Sequence, residues 1–186
     1  TFSGCGYING TNISGGGGVA CVNTDSVMIA GNDISSSKAQ SGGGVFLYQS
    51  GAVISGNRIT GSLPDPAFSG TKKGGGIYAS YSSIDLSGNF IGSNTGYADG
   101  GGIYSEFAPI TLSGDTITSN ECSGSGGAVY SNDSPITAAN SVVAENTAAS
   151  MGGGIYFQEG ICHFENSLFY LNESGMLGGG LYAPSI

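Results

Sequence analysis

Charge is scarce in this chain and basic charge nearly absent: Lys38, Arg58, Lys72 and Lys73 face 13 acidic residues, a formal net charge of −9 over 186 residues. Phosphate binding needs clustered Lys and Arg, so nucleic acid is not an expected partner. No stretch approaches the roughly 20 apolar residues of a membrane span, and no basic leader with an apolar run is found. The expectation is a soluble or processed mature chain without direct membrane insertion. Cys5, Cys21, Cys122 and Cys162 lack any CxxC or other metal spacing and occupy four different places in the pattern described below. They predict neither a metal site nor a ladder of disulfides; buried free thiols are expected for some of them.

Catalytic groups are equally sparse. His163 is the one histidine and Arg58 the one arginine. A glycosidase needs two carboxyl groups flanking a bond, and a lyase needs a strong base with charge neutralisation. Asn23-Thr24-Asp25 echoes one short polygalacturonase-type motif, but no Asp-Asp pair, Gly-His-Gly or Arg-x-Lys accompanies it. His163 and Glu165 share a strand face without further partners. No catalytic residue is assigned, and the expectation is a protein that is not an enzyme. Flat Thr-x-Thr arrays of the ice-binding kind are absent too.

Glycine, in contrast, is abundant and ordered. A glycine-rich triplet precedes an aliphatic residue at Val19, Val45, Ile77, Ile103, Val129, Ile155 and Leu181, with steps of 26, 32, 26, 26, 26 and 26 residues. A fixed period of this size marks a solenoid, in which one repeat cannot bury its apolar face without neighbours. No composition shift divides the chain, so residues 1–186 read as a single domain with an expanded loop at about 62–73.

Counting from the aliphatic residue as zero, position 7 holds Ala52, Ile84, Ile110, Ile136 and Cys162, and position 9 holds Ile54, Leu86, Leu112, Ala138 and Phe164. Polar residues alternate with them, as along a strand with one buried face. Ser55-Gly56-Asn57 and Ser87-Gly88-Asn89 then read as corners, since Gly and Asn tolerate positive φ. Position 14 adds Ile59, Ile91, Ile117, Val143 and Phe169. Three residues on, Asn94, Asn120, Asn146 and Asn172 recur, with Ser62 in the expanded repeat; stacked amides at strand spacing predict a hydrogen-bonded ladder. The fold class is all-β: a single-stranded parallel β-helix of about seven coils, three short strands each.

The pairing of Gly126-Gly127-Ala128-Val129 with Phe169-Tyr170-Leu171-Asn172 resembles the repeat of the chlamydial polymorphic outer-membrane proteins and related β-helix families. The resemblance covers nearly the whole chain. It implies a right-handed helix and a structural or adhesive role at the cell surface, as an autotransporter passenger.

Several features are candidate binding sites. Position 1 holds Phe46, Tyr78, Tyr104, Tyr130, Tyr156 and Tyr182, an outward column if positions 0 and 2 face the core; exposed rings of this kind suit sugars or a lateral protein contact. The expanded loop brings Pro64, Asp65, Pro66, Phe68, Lys72 and Lys73 together as a second candidate. Glu106, Asp133 and Glu159 are a candidate Ca²⁺ set, with no other cofactor expected. Asn-x-Ser/Thr sequons stand at Asn9, Asn12, Asn132 and Asn172. Finally, Thr1-Phe2-Ser3-Gly4 aligns with Asp85-Leu86-Ser87-Gly88, and Ile186 falls at position 5. With the six extra residues set aside, the length is nearly a whole number of windings. This predicts head-to-tail stacking of copies into an extracellular filament; the alternatives are an adhesin contacting glycans or host cell-surface molecules and, more remotely, a polysaccharide lyase or hydrolase.

Overall fold

The computed structural model describes residues 2–3, 15–65, 67 and 69–184. One winding comprises Ile103–Glu106, Ile110–Ser113, Thr116–Thr118 and Glu121–Cys122. Each strand pairs in parallel with its counterpart one winding later: Ile103 with Val129, Ile110 with Ile136, Ile117 with Val143, Glu121 with Thr147. The fourth, two-residue strand was not anticipated. It follows the Asn column and turns the small residues Gly96, Cys122 and Ala148 inward, too short a stretch to display alternation. Six windings are complete, and Leu181–Tyr182 adds one further strand to the sheet that starts at Val19–Val22.

The anticipated apolar columns form the core. Ile54, Ile59, Ile77, Ile84, Ile91, Ile103, Ile117 and Ile136 are all fully buried, each contributing on the order of 1.5–3 kcal/mol. The glycine triplet has two separate causes. Gly100 sits at φ +70, a left-handed turn that a side chain would strain. Gly101 lies against the next winding, where a Cβ would fall 2.5 Å from the carbonyl oxygens of Glu121 and Gly127.

Buried amides then run parallel to the core. Asn94 Nδ2 donates to Asn120 Oδ1 at 3.0 Å, Asn120 to Asn146 at 3.0 Å, and Asn146 to Asn172 at 2.9 Å. The same oxygens accept the backbone N–H of the preceding Asn, so each amide closes a corner as well as a ladder. A second ladder links Asn57, Asn89 and Asp115. At these corners the glycine takes the left-handed conformation, with φ +59 at Gly56 and +61 at Gly88, while Asn57 and Asn89 contribute buried side chains; in later windings Asn140 and Asn166 take the left-handed place, at φ +53 and +46. Burial raises the Asp115 carboxyl above the usual range, against three hydrogen bonds from Asn89 and Ser113 that lower it.

One expectation is corrected at the first winding. Phe2–Ser3 runs antiparallel to Val27–Ala30, Phe2 opposite Ile29, so the chain does not enter in phase. Val27–Ala30 would otherwise be a bare sheet edge, and either strand direction satisfies its free N–H and C=O groups. At the loop, Val45 still pairs with Ile77 across the 32-residue step. The extra residues leave the winding after Leu63–Pro64 without disturbing register. Ile186, Cys5 and the sequons at Asn9 and Asn12 lie outside the described residues.

Cys122 is a buried free thiol, its pKa pushed up to about 12 by burial and then by the Asp99 charge. Cys162 is free and half-buried, whereas Cys21 is disulfide-bonded.

Candidate functional site

The aromatic column lies outside the core, as its position between two inward residues requires. Its rings stack from winding to winding: Phe46 on Tyr78 at 5.0 Å, Tyr78 on Tyr104 at 5.3 Å, Tyr104 on Tyr130 at 5.1 Å, Tyr130 on Tyr156 at 4.9 Å and Tyr156 on Tyr182 at 5.7 Å. It is not open throughout: Tyr104 is 1% and Phe46 8% exposed, while Tyr78, Tyr130, Tyr156 and Tyr182 are half-buried. Stacking hides the ring faces, the Lys73 ammonium lies 4.3 Å from the Tyr104 ring centre and donates to its hydroxyl, and Gly15 abuts the Phe46 ring. Burial, followed by repulsion from Glu106, raises the Tyr104 hydroxyl well above its usual range; burial pushes Tyr130 up to about 12.

The two lysines of the expanded loop therefore fold back over rings of the next winding. Lys72 lies 5.6 Å from the Tyr97 ring centre. Pro64 is buried and Asp65 half-buried, with Asp65 Oδ1 accepting from the Ala67 N–H; Pro66 and Phe68 lie outside the described residues. The loop packs on the helix instead of projecting as an independent arm.

The proposed Ca²⁺ set does not assemble. Asp133 and Glu159 share a hydrogen bond that, ahead of their charge repulsion, raises the Glu159 carboxyl. Among the described residues no group of three acidic, His or Cys side chains is placed to hold a metal. Asn172 is engaged at both ends of its amide in the ladder, and Asn132 is half-buried with its Oδ1 buried and unpartnered. His163 and Glu165 are both exposed, and Arg58 lies over the Phe90 ring at 5.0 Å.

Sequence reasoning passed over one surface. At position 4, Tyr81 and Phe107 stack at 5.0 Å and 17° while remaining 55% and 44% exposed. Beside them is an open cavity of about 490 Å³ whose walls include Thr24, Asp25, Gln49 and Ser83. The signal was available: two aromatics one period apart interrupt a column otherwise made of Asn23, Gln49, Asp133 and Glu159.

The last winding presents a different kind of surface. Phe164 and Phe169, which continue the core columns, are only partly buried, and Leu181 is exposed. The strands Cys162–Glu165, Leu168–Tyr170 and Glu173–Ser174 each have a partner on one side only.

No individual curated protein and no solved structure matches the chain. The family model described as a right handed beta helix region matches residues 17–183. Parallel windings, continuous core columns and that match agree: this chain belongs to the right-handed β-helix family.

Proposed function

We propose that this chain is a non-catalytic, extracellular structural protein whose windings stack head to tail with those of further copies into a filament or surface appendage. The family includes polysaccharide-degrading enzymes and adhesin-like proteins, so membership alone does not choose between them. Support for a structural role comes from the unbroken register of the windings, whose strands pair in parallel from Val19–Val22 to Leu181–Tyr182. A further in-register winding supplied by a second copy pairs its edges and continues its apolar columns in the same way. At the first winding Val19–Val22 and Asp33–Ser35 have one-sided edges among the described residues, and Phe2–Ser3 has to leave the edge of Val27–Ala30 before a copy can continue that sheet.

The chemistry favours a non-enzyme. His163 and Glu165 are exposed and Arg58 lies over the Phe90 ring, so among the described residues a candidate base and the arginine are not brought together as a lyase site would need. The disulfide at Cys21 favours an oxidising, extracellular setting. Electron microscopy and light scattering across a concentration series test the stacking. End-to-end rods are expected, shortened or lost in Leu181→Lys with unchanged circular dichroism; a wild-type chain that stays monomeric at high concentration overturns the proposal. An adhesive, glycan-contacting role is the second reading, favoured by the exposed rings of Tyr81 and Phe107.

A further inference from the structure

The corner at position 4 imposes a left-handed backbone: φ is +54 at Asn23, +48 at Gln49, +49 at Tyr81, +49 at Phe107 and +47 at Asp133. This conformation costs an L-residue roughly 1–2 kcal/mol, with Asn and Asp the most tolerant of the side-chain-bearing residues. Tyr and Phe do nothing to lower that cost. They are also held largely in solvent, so little burial offsets it. Large rings kept exposed on a strained backbone make a functional surface the natural inference.

The surroundings specify what such a surface takes. Phe107 covers one face of the Tyr81 ring, and Tyr48 meets Tyr81 edge-on at 6.2 Å. Tyr81 borders the open cavity together with Gln49 and Asp25. Space exists there because Gly51, the partner of Ser83, has no side chain where later windings carry Pro109, Pro135 and Ile161. The first winding also has one extra residue in this corner: Val19 pairs with Val45 at a step of 26, but Val27 pairs with Ala52 at 25.

Hydrogen-bonding capacity divides into two groups. Ser50 and Ser82 hold the corner together, Ser50 Oγ accepting from the Thr24 N–H and Ser82 Oγ from the Ser50 N–H, each at 3.1 Å. The Asp25 carboxylate, the Gln49 amide and the Ser83 hydroxyl form no hydrogen bonds among the described residues. The cavity thus combines one flat apolar face with free acceptors and donors at its rim.

We propose that this corner binds a neutral pyranose glycan. One sugar ring lays its C–H face against Tyr81, and its equatorial hydroxyls reach Asp25, Gln49 and Ser83. The cavity volume falls within the roughly 300–1,000 Å³ typical of small-ligand sites. The Asp25 charge and the net charge of −9 disfavour uronate sugars.

Amide chemical-shift titrations with cellohexaose and chitohexaose test the assignment, with oligogalacturonate and a proline-rich peptide as contrasting probes. Saturable shifts are expected at residues 23–26, 49–51, 81–83 and 107 with a neutral hexasaccharide. Tyr81→Asn keeps the corner's backbone preference and the melting temperature but weakens binding about tenfold or more; Tyr81→Phe retains it, and Gln49→Ala weakens it less. The proposal is overturned if neither neutral hexasaccharide saturates, if Tyr81→Asn binds as wild type does while folded, or if the acidic sugar or the peptide occupies this corner in their place. Each outcome is read on the monomer at low concentration, apart from the stacking of copies.

Discussion

Two aromatic columns climb the same helix at the same period, yet they do opposite things. In the column running from Phe46 to Tyr182 the rings are stacked and buried or half-buried, with Lys73 lying over Tyr104. At the corner, Tyr81 and Phe107 stack just as closely but stay exposed on a strained backbone. Stacking distance therefore carries no functional information here. What separates the columns is whether the backbone conformation suits the residue and whether neighbours cover the ring.

The sharpest break between them is thermodynamic. Tyr104→Ala is expected to cost about 3 kcal/mol in urea unfolding, by loss of a buried ring and the space left behind, whereas Phe107→Ala changes stability by no more than about 0.5 kcal/mol. Equal costs at the two sites would erase the distinction. A smaller effect comes from Lys73→Ala, which removes the cation over Tyr104 and is expected to cost about 1 kcal/mol; Lys38→Ala, remote from the column, serves as the control. The smallest effect appears only at high pH. Burial raises Tyr130 from an unfolded value of 10.0 to about 12, so its contribution is complete below pH 10 and lost as pH rises from 10 through 12. The unfolding midpoint should fall over that window, and less steeply in Tyr130→Phe. Tyrosinate absorbance read in parallel checks that ionisation of the column coincides with the loss.

Much of the architecture was legible because one period governs it. Ile91, Ile117 and Val143 stand in adjacent strands, as their spacing required, and the Asn94 to Asn172 ladder forms with the bonds anticipated from amides at strand separation. Periodicity reports which face a residue presents, however, and is silent on the direction of a strand added at an edge. The antiparallel Phe2–Ser3 was accordingly misread. It is silent also on what folds over an outward residue: Lys73 reaches Tyr104 from a non-repeating loop 31 residues earlier. The corner pair was missed for a third reason. Its meaning lies in the left-handed φ of Tyr81 and Phe107, which the sequence signals through Asn23 and Asp133 at the same position of other windings and not through the aromatic spacing itself.

The amide ladder leaves the molecule with a built-in arrow. From Asn94 to Asn146 each amide nitrogen donates to the amide oxygen of the following winding and also to a backbone carbonyl of the preceding one, while at the start of the series Ser62 offers its backbone N–H to Asn94 and its hydroxyl finds no partner. Reversing one winding would set amide nitrogen against amide nitrogen. Any lengthening of this column, whatever supplies the next turn, is thereby vectorial: a mirror-paired end would break the relay that an identically oriented turn prolongs.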